Sequence, residues 1–293
     1  MIHLAVPLLT PGSLKEYTGG AVPEGFHLSV SRLIDHVRSS ADTIVPGGTT
    51  GEGHLLTMPQ YTALLAAVMK HRWELNVRAG ILGRDDQVAE QVLTAQSLWI
   101  QEMMIGCGHT GDYEARVAIA LEALWPKGRL FLYNMPGWFD PLVIEFVARY
   151  FREDKRVVGI KDSSGNPEYF EQLLALKGTF PNKIVSHGSE PLYGDMSPER
   201  RKLVDEVTAW TGNAYPKLLR NFLDNPEEFW AERTRSGSRI WDSHGWFNPE
   251  LPWSPIGDYI YGLKTYLRLQ SVLTGAEDFL MYGDKAKWFF PKD

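Results

Sequence analysis

The feature that most restricts how this chain can fold is an alternation: short apolar runs rich in β-branched residues take turns with longer segments whose apolar residues recur at helical spacing. Runs with strand character lie at residues 2–9, 43–46, 76–82, 102–105, 129–133, 157–161, 183–187 and, least distinctly, 204–210. Helical periodicity follows nearly all of them, for example over 59–73, 86–99, 113–124, 141–151 and 167–176. Strands that read as nearly continuous apolar runs suit a parallel sheet covered on its outer face by helices. Eight such units predict an α/β fold closed into a (β/α)8 TIM barrel. Local chemistry supports that register, since Thr57-Met58-Pro59 offers an N-cap hydroxyl and an early proline, and Asp140-Pro141 repeats the arrangement.

Past about residue 215 the pattern changes to a helical stretch over 215–223, a Trp-rich loop over 240–253 and an apolar helix near 259–273. No low-complexity tract, fixed-period repeat or flexible linker separates these parts. The expected organisation is therefore a barrel over 1–225 with a C-terminal helical extension, 226–293, packed on it. A chain of 293 residues suffices, because single α/β barrels routinely run this long.

Composition narrows the classes of partner. A formal net charge of −6 and the lack of a clustered Lys/Arg run argue against nucleic acid. No segment approaches the roughly 18 uninterrupted apolar residues of a membrane helix. The chain opens directly on a strand-like run without a basic n-region, and its lone cysteine, Cys107, cannot form an intramolecular disulfide. A cytoplasmic protein with a small-molecule substrate is expected. The histidines at 3, 27, 36, 54, 71, 109, 187 and 244 include no His-x-His or His-x-x-x-His pair, so no metal site is expected.

In a (β/α)8 barrel the chemistry sits at the C-terminal ends of the strands. The sixth run, Val157-Val158-Gly159-Ile160-Lys161, ends in a lysine followed by Asp162-Ser163-Ser164-Gly165-Asn166. A lysine is rarely buried without a reason, and burial in general favours the neutral amine, the form that attacks a carbonyl. A lysine at a strand end can equally snorkel to solvent. The fifth run ends in Tyr133 before Asn134-Met135-Pro136-Gly137, aiming a phenol able to shuttle protons into the same mouth. Such a tyrosine can also be an ordinary half-buried aromatic with a bonded tip. After the second run comes Gly47-Gly48-Thr49-Thr50-Gly51-Glu52-Gly53, whose hydroxyls and amides suit a small carboxylate, although a plain βα turn has the same composition. It is no phosphate loop, because no Gly-Lys-Ser/Thr follows.

Taken together, GGTTGEG at 47–53, YNMPG at 133–137 and GIKDSSGN at 159–166 resemble, in order, spacing and strand position, the dihydrodipicolinate synthase / N-acetylneuraminate lyase family of class I aldolases. The similarity runs through most of residues 1–225, and Val207–Asn213 before Pro216 resembles that family's last barrel strand. The resemblance implies that Lys161 forms a Schiff base with pyruvate or a related 2-oxo acid and that Tyr133 relays protons. It further implies that Thr49 joins that relay and that Thr49 and Thr50, with the amides around Gly48 and Gly51, hold the carboxylate. Gly188, after the seventh run, is placed among the substrate-binding residues. The iminium is the electron sink, so no metal or organic cofactor is implied. A homotetramer or homodimer is implied likewise.

Two departures bear on the second substrate. Where the synthase branch carries an arginine for the carboxylate of aspartate semialdehyde, this chain has Trp138, and an indole cannot replace a bidentate cation. Where the synthases present a tyrosine pair after the fourth strand, this chain has Ile105-Gly106-Cys107-Gly108-His109-Thr110, with Tyr113 beyond. His109 or a water is then expected in the relay. Trp138, Phe139, Trp241, Trp246, Phe247 and Trp253 can line a mouth for a larger or apolar aldehyde, or pack the C-terminal extension or a subunit interface; Cys107 reads as a small packing residue. The expected activity is a pyruvate-dependent aldolase or lyase whose second substrate is not aspartate semialdehyde. Alternatives are a true 4-hydroxy-tetrahydrodipicolinate synthase, a sugar-acid dehydratase of the same family, or a non-catalytic barrel that binds 2-oxo acids.

Overall fold

The computed structural model describes residues 2–226, apart from 24, 107–111, 136–140 and 214. Eight strands, β1 His3–Val6, β2 Thr43–Ile44, β3 Asn76–Ile81, β4 Glu102–Ile105, β5 Arg129–Asn134, β6 Val157–Asp162, β7 Ile184–His187 and β8 Glu206–Thr208, pair in chain order. All neighbours are parallel, and β8 returns to β1 in the register Leu4↔Val207, so the sheet closes into the expected (β/α)8 barrel.

The helices of the described residues are α1 Phe26–Val37, α2 Met58–Val68, α3 Val88–Ser97, α4 Tyr113–Ala123, α5 Ile144–Glu153, α6 Pro167–Thr179, the short α7 Glu190–Asp195 and α8 Pro198–Arg201, and α9 Pro216–Asp224. None is long and apolar enough to cross a membrane. The sequence explains several starts. Thr57 and Gln60 form a reciprocal capping box at α2, with Pro59 in the first turn. Asp112 caps α4 through the amide of Ala115, and Asn166 caps α6 through the amides of Glu168 and Tyr169 ahead of Pro167.

Element ends differ from the periodicity by a few residues. The helix expected from 141 begins at Ile144, after Val143, which has no side-chain cap; Asp140 lies outside the described residues. The helix expected to run to 73 ends at Val68 and tightens into a 3-10 turn, Met69–His71, because the chain must turn back into β3. The last run shortens to Glu206–Thr208, and Trp210–Asn213 coils into a 3-10 turn instead of extending. Conversely, β5 and β6 each extend one residue past the expected end, to Asn134 and Asp162, which pair with each other. The extension expected over 226–293 lies outside the described residues, apart from Pro226.

Side chains alternate across each strand. Outward positions such as Leu4, Val6, Ile105, Leu132 and Ile160 pack under the helices in one large core. Inward positions Ala5, Val45, Leu82, Met104, Phe131 and Tyr133 make a smaller second core inside the barrel. Its lower half is ionic. Arg78 lies 3.5 Å over the Phe131 ring and bonds both carboxylate oxygens of Glu206 at 2.7 and 2.9 Å; its Nε reaches Glu102 at 3.3 Å, and Glu102 also meets Arg129. Burial by itself disfavours these charges. Arg78 and Glu206 nevertheless hold each other ionised, the guanidinium pushed up and the carboxyl held below its ordinary range.

Candidate active site

At the C-terminal mouth, Tyr133 on β5 and Lys161 on β6 are register partners, and Lys161 is in turn partnered by Ser186 on β7. Parallel pairing without offset makes these side chains neighbours on the inner face. Both are buried, at 2% and 5% exposure. The Lys161 amine lies 4.1 Å from the centroid of the Tyr133 ring. The Tyr133 hydroxyl donates to the Met135 sulfur at 2.9 Å, and Thr49 Oγ1 stands 3.4 Å from the same phenol oxygen. With the phenolic proton on sulfur, Thr49 is the donor of that long contact.

The glycine-rich loop after β2 brings Thr49 there. Gly47 adopts φ +68° with the Tyr61 ring against it, and the loop closes on itself through Gly53 N–H to the Gly48 carbonyl. Thr49, Thr50, Gly48 and Gly51 are all buried. Gly51 has a packing reason of its own: a Cβ would stand 2.5 Å from the Leu8 carbonyl, and its own carbonyl accepts from Thr10 Oγ1. Gly188 is similar, since a Cβ would meet Ser163 Oγ at 2.0 Å and the Asp162 carbonyl at 2.7 Å. The structure thus brings Lys161, Tyr133 and Thr49 together, keeps Thr50 and Gly48 on the adjoining loop, and gives Gly51 and Gly188 close backbone contacts. His109 and Trp138, like Cys107, Phe139, Trp241, Trp246, Phe247 and Trp253, lie outside the described residues.

Sequence reasoning missed the acids and amides around this group. Asp162 is buried and accepts from Asn134 Nδ2 at 2.7 Å, Ser164 Oγ at 2.9 Å and the Ser164 amide at 3.2 Å, while Asn134 Oδ1 receives the Leu142 amide. Burial pushes its carboxyl up to about 6 against those hydrogen bonds and the charge of Lys161. Glu190, at the start of α7, is also buried and pushed up; it accepts from Thr211 Oγ1 at 2.5 Å and feels Lys161 electrostatically. His187 stacks on Phe170 at 4.1 Å, accepts from the Ser189 amide, and is held down to about 4 by burial. Asn134 and Asp162 were visible as parts of their motifs, but nothing local said they would bond each other. Glu190 had no sequence signal beyond an acid two residues after a glycine. Among the described residues, no group of three or more His, Cys, Asp or Glu side chains is placed to hold a metal.

A closed parallel barrel with a buried lysine, a tyrosine and a threonine converging at its C-terminal mouth defines the class: a (β/α)8 barrel with a buried amine at its mouth. No family model matches the chain. A 4-hydroxy-tetrahydrodipicolinate synthase from Persephonella marina (strain DSM 14350 / EX-H1) is 29% identical over 197 residues, covering 64% of this chain and 63% of that protein. The match thus spans less than two thirds of that relative's length. Among solved structures, a dihydrodipicolinate synthase from Bacteroides thetaiotaomicron superposes with a TM-score of 0.76 at 19% identity, over 95% of this chain and 91% of that one. YagE, a prophage protein of the dihydrodipicolinic acid synthase family from E. coli K12 solved in complex with pyruvate, superposes with a TM-score of 0.72 at 16% identity, over 94% and 90%. The chain is thus similar in sequence to 4-hydroxy-tetrahydrodipicolinate synthases and shares its fold with dihydrodipicolinate synthase structures.

Proposed function

We propose that the protein is a class I aldolase or lyase that condenses Lys161 with pyruvate or a related 2-oxo acid and makes or breaks a carbon–carbon bond to an aldehyde. The observation that carries this reading is the convergence of a buried amine, a phenol 4.1 Å below it by its ring centroid, and a threonine hydroxyl within 3.4 Å of that phenol. The neutral amine adds to the ketone carbon, the carbonyl oxygen leaves as water after two proton transfers, and an iminium remains. Loss of a methyl proton gives the enamine, whose carbon attacks the aldehyde; hydrolysis then frees the product and the lysine. Tyr133 with Thr49 is the proton carrier for addition and dehydration, and Thr49, Thr50 and the loop amides take the 2-oxo acid's carboxylate.

The pyruvate complex of the YagE neighbour and the names of the sequence relatives support a 2-oxo acid as first substrate. For the second substrate we favour an aldehyde other than aspartate semialdehyde, because Trp138 stands where the resemblance expects an arginine; His109 is the residue we assign to the altered relay. The names of the relatives motivate a second reading, 4-hydroxy-tetrahydrodipicolinate synthase itself. By the same resemblance we assign the assembly as a homotetramer or homodimer acting in the cytoplasm.

The test is borohydride reduction in the presence of pyruvate, followed by peptide mass spectrometry. A pyruvate-derived adduct confined to Lys161 and absent from Lys161→Ala is the expected result. Failure of the folded wild type to form one sinks the reading. Turnover of pyruvate with aspartate semialdehyde, assayed directly, decides for the second.

A further inference from the structure

The first turn of α4 carries two buried polar side chains that reach three strand ends. Tyr113 donates its hydroxyl proton to the Ile105 carbonyl at 2.8 Å and accepts the Tyr133 amide at 2.9 Å. The ladder between β4 and β5 opens with the Arg129 amide on the Gln101 carbonyl. Parallel rungs repeat every second residue, so continuing that ladder would put the Tyr133 amide directly on the Ile105 carbonyl. The Tyr113 hydroxyl stands in that rung, holding the strands apart where β4 ends. Three residues on, Arg116 is buried with Nε on the Gly106 carbonyl at 3.1 Å, Nη2 on the Gly83 carbonyl at 2.9 Å, and Asp85 as its ion partner. These carbonyls follow β4 and β3. A Cβ on Gly106 would lie 3.4 Å from the Tyr133 ring, so the bracketed segment also abuts the phenol.

We infer that Tyr113 is a positioning residue for Tyr133: by occupying the last rung between β4 and β5 it sets where the Tyr133 backbone leaves the sheet and hence where its phenol meets Thr49 and Lys161. The inference rests on the reading of Tyr133 as the proton carrier. The 3.4 Å separation from Thr49 lies at the long end of hydrogen bonding, so a displacement of a few tenths of an ångström makes or breaks the relay. Arg116 braces the same turn, which keeps Tyr113 from following the strand if the strand shifts.

Tyr113→Phe removes one oxygen and keeps the ring. At saturating pyruvate the rate of borohydride-trapped adduct on Lys161 should fall about tenfold or more, with half-saturation moving less than about twofold, because the carboxylate loop is untouched. Amide hydrogen exchange of a peptide spanning 129–135 should accelerate, since the Tyr133 amide loses its acceptor. Gln96→Ala serves as the control: it removes a buried side chain that bonds the Ala123 carbonyl and the Trp125 amide at the opposite end of the barrel. An unchanged saturated rate in folded Tyr113→Phe overturns the inference, as does an equal slowing in a comparably destabilised Gln96→Ala. If the wild type itself forms no adduct, the proposed function falls and exchange alone decides: acceleration at 129–135 in Tyr113→Phe supports the bracket, and equal exchange overturns it.

Discussion

Asp162 and His187 are register partners on β6 and β7, both buried, and burial shifts them in opposite senses. The Asp162 carboxyl moves up from 3.8 to about 6, so between those pH values the folded chain holds a proton that the unfolded chain has released, and stability falls as pH rises. The His187 imidazole moves down from 6.5 to about 4, so over nearly the same window the unfolded chain holds the extra proton and stability rises with pH. Each effect is worth about 3 kcal/mol, and in the wild type they nearly cancel. Relative to wild type, Asp162→Asn should gain stability as pH is raised from 4 to 6.5, and His187→Gln should lose it. Urea unfolding across pH 4–7 reads both slopes, and parallel profiles for all three proteins would count against the opposed shifts. The end of an apolar run and the motif after it marked Lys161 for the mouth. Nothing local said that the next residue, Asp162, would be buried against Asn134.

Some helices begin where the chain supplies a side-chain cap, and the Thr57 cap of α2 was legible because capping is local. Asn166 accepts from two amides at 3.0 and 3.2 Å ahead of Pro167, just after the strand that ends in Lys161 and Asp162. Asn166→Ala should lower stability by about 1 kcal/mol, measurable as a shift in urea midpoint with unchanged slope. Helix ends were less legible, because they depend on where the next strand must start. The 3-10 turn at Met69–His71 and the delayed start of α5 at Ile144 answer to the barrel rather than to their own residues. The same limit hid the role of Tyr113. From the sequence it stood only some way beyond the place where a tyrosine pair was expected, and its hydroxyl finds the Tyr133 amide only when α4 lies across the ends of β4 and β5.

For the molecule as a whole, closure depends on joining chain segments far apart in sequence. Arg78 and Glu206 are 128 residues apart, yet their paired bonds tie β3 to β8 across the barrel interior, with Glu102 and Arg129 extending the network to β4 and β5. Removing the cation alone leaves two acids buried without it. Arg78→Met should therefore cost about 3–5 kcal/mol, and adding Glu206→Leu should recover much of the loss. Chemical denaturation of the single and double variants checks this; additive losses would mean that the network is not a coupled unit. Thr208 and Ser186, bonded at 2.8 Å, carry the polar chain from Glu206 upward to the register partner of Lys161, so the floor of the site is continuous with the device that closes the barrel.

The sequence by itself determined the units and the mouth. Strand and helix periods are short-range properties, eight alternating units admit few arrangements, and three motifs at strand ends placed Lys161, Tyr133 and Thr49 on one rim. Tertiary structure decided the rest: the Asp162–Asn134 clamp, the Glu190–Thr211 pair, the Arg78–Glu206 tie and the Tyr113 rung. Each joins groups that are distant in sequence or on different elements. Such bonds form only after the sheet closes and its helices dock, when burial makes an unpaired polar group expensive and selects the partner that lies within reach.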